Sequence, residues 1–595
     1  MRRAARRLGR RPHLLQQRRR LSTPPKAAAT DAALLEKVAA IMSAAPAPGA
    51  ELASRRWDAI IVGGGHNGLT TAAYLAKAGK SVLVLERRHV LGGAAVTEEL
   101  VPGFHFSRAS YLCSLLRPVV IEELELKRHG LRLHPRPHSS FTPLLDGRSL
   151  LMGSAETTRE EIAKFSAADA EAYGRYEAEM EKFADILEAL LDSIPPDPAA
   201  PRAGGIKELA EYAGTLGTLM RHGKNLGPQL GPFIEMLTAP AARVLERWFE
   251  SEPLMSTLAT DAVIGAMMSP ETPGSGYVLL HHVMGETDGA RGVWAYVEGG
   301  MGAVSQAIAR SATEAGATLQ TDVAVREIIV RQGRAVGVEL ADGTQLEAGC
   351  VLSNATPHVT LRKLLSEEAQ AALPERLSAR LATSDYSSGT TKINLAIDAL
   401  PQFACKPPHH GIVQPEHQGT IHLGCESLAQ MEVAFAEAAE RGDASTVPLI
   451  EMTIPSALDP TLAPPGCHVV NLFCQYTPYT LSNGRQWDDH RQEFCDHVLA
   501  TIEQYCPGFT SSIVGEPDIL TPPDLERVFG LTGGNIFHGA CSLDRLFIMR
   551  PAPGAANHRI PGLSGLYLCG AGAHPGGGVM GAPGRNAARA VLRDM

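Results

Sequence analysis

The chain lacks several features that would settle a function by themselves. Its ten cysteines (positions 113, 350, 405, 425, 467, 474, 495, 506, 541 and 569) contain no C-x-x-C pair, so neither a zinc site nor a thioredoxin-like dithiol is spelled out. They read as free thiols of a reducing compartment. A flavin disulfide reductase needs a close cysteine pair just after its first nucleotide-binding unit, and that region offers only Cys113. No apolar run approaches the ~18 residues of a spanning helix, which excludes a multi-pass helical membrane protein. Aromatic residues are sparse at 5%, no repeat of fixed period is visible, and no Ser/His/Asp or metal-ligand spacing stands out.

Acidic residues are missing from the start of the chain: the first is Asp31, whereas the first 22 residues carry nine arginines. That is organelle-targeting composition, and the stretch ends in Leu21-Ser22-Thr23 as presequences often do. The competing reading is a basic arm for nucleic acid or anionic lipid. Without those arginines the formal charge would go from −9 to −18, a poor match for a phosphate backbone. Nucleic acid is therefore not an expected partner. The expectation is a mitochondrial targeting segment over residues 1–22, a linker to about residue 50, and a matrix location.

What is present begins at Arg56. In "WDAIIVGGGHNGLTTAAYLAKAGKSVLVLERR", Ala59–Val62 reads as a buried strand and Gly63-x-Gly65-x-x-Gly68 follows at once. Leu69, Ala72, Ala73, Leu75 and Ala76 fall at helical spacing, and Ser81–Leu85 is a second strand ending in Glu86. This is a complete βαβ unit for a dinucleotide. Gly63 permits the tight turn, Gly65 the approach of a pyrophosphate, and Gly68 the close packing of helix on strand. The helix N-terminus supplies N–H groups to the diphosphate. Glu86, 23 residues after Gly63, is placed to accept hydrogen bonds from ribose hydroxyls.

Further along, residues 156–194 read as one or two charged amphipathic helices, closed by the proline-rich "PPDPAAPRAG". From Tyr296 a Gly299-Gly300-x-Gly302 turn opens a helix, followed by a β-meander with turns at Gln332-Gly333 and Asp342-Gly343. "TTKINLAID", "PLIEMTI" and "HVVNLFCQY" predict a second sheet, and "WDDHRQEFCDHVLATIEQYC" a helix with Phe494, Val498, Leu499 and Ile502 on one side. The chain ends in "GLYLCGAGAHPGGGVMGAPGRNAARAVL", where Pro583 suits the start of a final helix.

The fingerprint with Glu86 and the following Gly92-Gly93, the "GGMGAVSQAI…TDVAVREI…GVELADG…VLSNA" block and the terminal glycine block occur in an order that resembles the phytoene desaturase and carotenoid isomerase family of FAD enzymes. The resemblance covers the chain after residue 55. It implies an α/β, glutathione-reductase-like (Rossmann-type) FAD domain with an inserted α+β substrate domain, and FAD held non-covalently. The FAD domain would comprise residues 55–115, 290–360 and 520–595, and the substrate domain 116–289 and 361–519. Beside the fingerprint residues, it implies cofactor roles for Gly92, Gly93, Val323, Gly570, Gly572, Gly577, Gly578 and Gly581. Where relatives often carry an acidic residue, this chain has Gly570-Ala571-Gly572-Ala573.

The implied activity is oxidation of an apolar small molecule by hydride transfer to flavin N5, as a dehydrogenase, desaturase or isomerase. The helix from Pro583-Gly584 is placed to stabilise charge developing at the flavin C2 carbonyl. His574, the titratable side chain inside the glycine cluster, is a candidate for proton transfer or substrate positioning, beside the reading of a turn histidine before Pro575 that contacts only backbone or cofactor; His538 and Asp544 are weaker candidates, and His66 is read as without a chemical role. Two alternatives stand beside this: a flavin-fold protein with a regulatory or interaction role in mitochondria, and an amine oxidase, which needs an aromatic cage. No metal is expected. Peripheral membrane contact and protein partners stay open.

Overall fold

Four consecutive apolar residues, Ala59 to Val62, make the centre of a strand that is buried on both faces, as the middle of a parallel sheet requires. In the computed structural model, which describes residues 51–195, 213, 214, 217, 220, 221, 223, 224, 226–408 and 410–595, this strand is Trp57–Val62. The expected targeting segment and linker, and the proline-rich break beyond Pro195, lie outside the described residues. Residues 55–595 form one compact unit.

The first strand is flanked on one side by Val82–Leu85 and then Thr318–Gln320, and on the other by Gln345–Ser353 and then Leu563–Leu568, all parallel. Chain segments 500 residues apart thus lie two strands from each other. Val325–Arg331, Arg334–Leu340 and Gln345–Ser353 form the antiparallel meander, and the first reversal is the two-residue turn Gln332-Gly333, with φ of 52° and 71°. Helix His66–Lys77 packs on this sheet between helices Gly302–Glu314 and Ala582–Asp594. The fold is the Rossmann-type α/β domain with an α+β insertion.

A second, seven-stranded sheet runs Ile513–Leu520, Thr390–Ile397, His468–Gln475, Leu449–Thr453, Thr420–Leu423, Ser140–Pro143, Ser149–Met152. One of its faces is apolar: Ile393, Leu395, Leu472, Ile450 and Ile421 pack against Phe494, Val498 and Ile502 of helix Trp487–Tyr505. The last two strands of the order came from residues that carry no strand signal, because "SFTP" and "SLLM" are too short to show a period.

Helices Ala155–Ala163 and Ala167–Leu191 follow, each started by a serine whose side chain accepts a backbone N–H: Ser154 from Thr157 and Ser166 from Asp169. With Leu230–Thr238, Glu252–Thr260 and Ser275–Val283 they build a helical layer around Phe183, Tyr176 and Leu280. Among the described residues, no helix is long and apolar enough to cross a membrane.

Candidate functional site

The glycine fingerprint forms the expected turn. Gly63 has φ of 96° and its N–H donates to the Leu85 carbonyl at 2.8 Å. Helix His66–Lys77 starts from Gly65 with no side-chain cap and no acidic residue in its first turn, so its terminal N–H groups stay available to an anion. The Gly92-Gly93 loop lies along the fingerprint: the Gly92 N–H donates to the Gly64 carbonyl at 2.8 Å, and a Cβ on Gly93 would stand 3.1 Å from the Gly65 Cα. Glu86 is buried and accepts from the Gly64 and Arg88 N–H groups at 2.8 and 2.9 Å. A carboxylate has about four acceptor sites, which leaves room for ribose hydroxyls. The Val323 N–H donates to the Glu86 carbonyl at 2.9 Å. A bare loop, an uncapped helix end and a carboxylate with spare acceptor capacity fit a dinucleotide.

The terminal glycines are also pressed against protein. A Cβ on Gly570 would lie 2.4 Å from the Asn354 carbonyl, one on Gly572 2.2 Å from Pro357, and one on Gly584 2.2 Å from the Asn67 carbonyl of the fingerprint helix. Thr71 donates to the Gly584 carbonyl at 3.1 Å and locks the two helices together. Asn354, which the sequence did not single out, is the hinge of this arrangement. Its N–H donates to Val62 at 2.8 Å, and a Cβ on Gly65 would lie 2.5 Å from its amide nitrogen.

A cavity of about 600 Å3 adjoins the cradle. His66 of the fingerprint and Ala571, Gly577, Gly578 and Val579 of the terminal block form part of its wall. Trp294, Phe537 and His538 add to it, and Leu279 and His281 line it from the insertion. Its aromatic lining includes Tyr111, Tyr173 and Tyr176, so an aromatic surround exists although the Gly570–Gly584 stretch contains none. The signal was out of reach because overall composition says nothing about which aromatics the fold gathers.

The second sheet contributes side chains in a row. His422, Glu451, Phe473 and Lys392 are direct cross-strand partners on four adjacent strands, hence on one face, and all four line the cavity. Glu451 accepts from the Tyr111 hydroxyl at 2.8 Å. Burial pushes its carboxyl up to about 8, with Asp261 adding to the effect. Lys392 donates to the side-chain oxygens of Asn394 (2.7 Å) and Asn471 (3.3 Å) and lies 5.2 Å over the Tyr111 ring. Burial brings its ammonium down to about 7. Arg136 donates to Thr420 at 2.7 Å. Burial lowers His281, His422 and His538 to about 3, so these rings are neutral hydrogen-bonding groups at neutral pH. Such a site can hold a small molecule out of water beside a neutral acid and a readily deprotonated amine.

His574 does not belong to this lining. It is buried, and its Nε2 donates to the Leu190 carbonyl at 3.1 Å, away from the cavity residues. Asp544 pairs with Arg380 at 2.8 Å and is also outside the lining. His538 and His66 do line it, each with one ring nitrogen lacking a partner. Cys113 is buried and pushed up to about 12 by that burial, which leaves it a protonated and unreactive thiol.

Residues 61–118 match the family described as NAD(P)-binding Rossmann-like domain. The chain is 53% identical over 550 residues to pyridine nucleotide-disulfide oxidoreductase domain-containing protein 2 of Rattus norvegicus, covering 91% of this chain and 94% of that one. It is 26% identical to the phytoene desaturase (lycopene-forming) of Pseudescherichia vulneris, over 88% of this chain and 96% of that one. Among solved structures, cyclohexylamine oxidase from Brevibacterium oxydans is similar in fold, with a TM-score of 0.53 at 17% identity over 91% of this chain and 99% of that one.

Proposed function

The chain belongs to the family of pyridine nucleotide-disulfide oxidoreductase domain-containing protein 2, an oxidoreductase family, and from that premise we propose an FAD-dependent oxidation of a largely apolar small molecule in the mitochondrial matrix. The observation that carries this reading is the cavity of about 600 Å3 whose wall combines the nucleotide fingerprint and the terminal glycine block with the inserted domain. Bound FAD would supply a two-electron acceptor for a C–H bond of the substrate. The residues of this chain would hold its diphosphate at the uncapped helix, orient its ribose through Glu86, and exclude water with Leu115, Leu279, Phe537 and Val579. Helix Ala582–Asp594 also starts uncapped, from Gly581 with φ of 71° and with no acid in its first turn, which suits stabilisation of negative charge at the reacting end of the cofactor.

The disulfide chemistry in the family's name is not part of this reading. All ten cysteines are free, and Cys113, in the span next to the fingerprint, is held as a thiol. The purified protein should be yellow and should bleach anaerobically with its substrate class. A colourless preparation that cannot be reconstituted with FAD would sink the proposal. Gly65→Val should abolish retention of the cofactor. The matrix location rests on the arginine-rich residues 1–22, and import of a fluorescent fusion with and without them tests it.

Amine oxidation is a second reading, favoured by the aromatic side chains Tyr111, Tyr173, Tyr176 and Trp294 around the same cavity. Bleaching by primary amines in preference to neutral compounds would select it.

A further inference from the structure

The central strands of the second sheet are buried on both faces, but only one face is apolar. The face that carries the His422–Glu451–Phe473–Lys392 row also carries Ser140, Thr390, Thr453 and Asn471, two residues along from members of the row or paired with its neighbours. Ser140 Oγ, Thr390 Oγ1, Glu451 Oε1, Thr453 Oγ1 and Asn471 Nδ2 have no hydrogen-bond partner within the protein, although every one of these residues is more than nine-tenths buried. Ser140, Thr390 and Glu451 line the cavity. Unpaired polar atoms at such depth are costly unless something in the cavity meets them. A ligand on this face must reproduce the hydrogen bonds of the water it displaces, and a plain hydrocarbon cannot.

Resting on the oxidoreductase reading above, we propose that the substrate of this cavity is an apolar molecule bearing one neutral oxygen function, a hydroxyl or a carbonyl, and that Glu451 Oε1 is the group that recognises it. Tyr111 donates to Oε2 of the same carboxyl, and burial favours its protonated form, in which Oε1 is the oxygen left to offer a donor as well as an acceptor. The charges around it argue against a charged ligand. Asp261 and Arg136 act on Glu451 in opposite directions. Lys392 is already engaged by two amide oxygens, and His422 is neutral. A carboxylate ligand would have to lie beside two carboxyls, and an ammonium would meet Glu451 in its uncharged form.

The test uses the full-length protein as purified, with an eight-carbon series as probes: octane, 1-octanol, octanal, octylamine and octanoate. Binding is read by fluorescence of Trp294, which lines the cavity, and flavin content by absorbance on the same samples. The expected result is 1-octanol and octanal binding at least about tenfold more tightly than octane, the order of one well-made buried hydrogen bond. E451L should erase that preference and leave octane binding unchanged. E451Q should keep it, and should also remove the loss of preference that wild type shows above pH 8 as the carboxyl ionises against Tyr111, Asp261, Arg136, His422 and Lys392.

Equal binding of octane, tighter binding of octylamine or octanoate, or an unchanged preference in E451L would each overturn the proposal. Should E451L not fold, the pH profile of E451Q decides: an alkaline loss that persists in that variant assigns the preference elsewhere and overturns it. A colourless protein that still discriminates ends the flavin reading alone. A yellow protein that does not discriminate ends this inference alone.

Discussion

The nucleotide cradle is a surface of backbone, and the sheet that shares the cavity with it is a surface of side chains. In the cradle the working atoms are the N–H groups after Gly65, and the surrounding glycines keep main chains in contact: Gly570 on Asn354 and Gly584 on Asn67. On the sheet, the polar atoms facing the cavity belong to the side chains of Glu451, Lys392 and His422, whose backbones hold the register, with Tyr111 reaching Glu451 from outside the sheet. The first surface tolerates no added atom. The second tolerates exchange of shape but not of charge. Their failures under mutation should therefore differ in kind.

The largest effect is expected where backbone meets backbone. Gly584→Val places atoms inside the contact with the Asn67 carbonyl, costing about 3 kcal/mol by overpacking and releasing the flavin altogether; urea unfolding and flavin-to-protein ratio after gel filtration measure both. Conservative substitutions on the sheet should leave flavin content intact and change pH dependence. The folded value of Lys392 is lowered from 10.5 to about 7, so its contribution to stability is full above 10.5 and is lost as the pH falls through 7. Wild type should gain stability from pH 7 towards 10, at up to about 1.4 kcal/mol per pH unit, and Lys392→Met should flatten that rise in unfolding curves.

Glu451 has the opposite sign. Its folded value is raised from 4.5 to about 8, so its contribution is full below 4.5 and is lost as the pH rises through 8; Glu451→Gln should remove that decline. The smallest effect is expected at His574, which belongs to neither surface. His574→Ala should cost about 1 kcal/mol through its hydrogen bond to Leu190 and leave turnover within about twofold. A tenfold fall in turnover with stability unchanged would return His574 to the chemistry.

The cradle was legible because its parts are local: Gly63, Gly65, Gly68 and Glu86 fall within one βαβ unit, and each spacing has one structural use. Asn354 was not, since an asparagine after a strand has no signature; its role follows from the strand Gln345–Ser353 pairing beside Trp57–Val62. Lys392 and Asn394 alternate with Ile393 and Leu395 in "TTKINLAI", and a polar side of a strand ordinarily faces water. Here it faces a cavity closed by helices of the insertion, so polarity that reads as exposure is burial. Tyr111, Tyr173, Tyr176 and Trp294 were equally hidden, spread over more than 180 residues and brought together from one helix and two loops.

The sequence by itself determined the dinucleotide unit, the three-block order of its domain and the absence of a dithiol. Those are matters of neighbouring residues, where backbone geometry and short spacings carry the information. Tertiary structure alone decided that the terminal glycines serve contact between chain segments, that His574 turns away, and that Glu451 and Lys392 stand in one buried row. Burial sets both their protonation and their use, and burial is a property of what long-range packing places above a side chain, which no local pattern encodes.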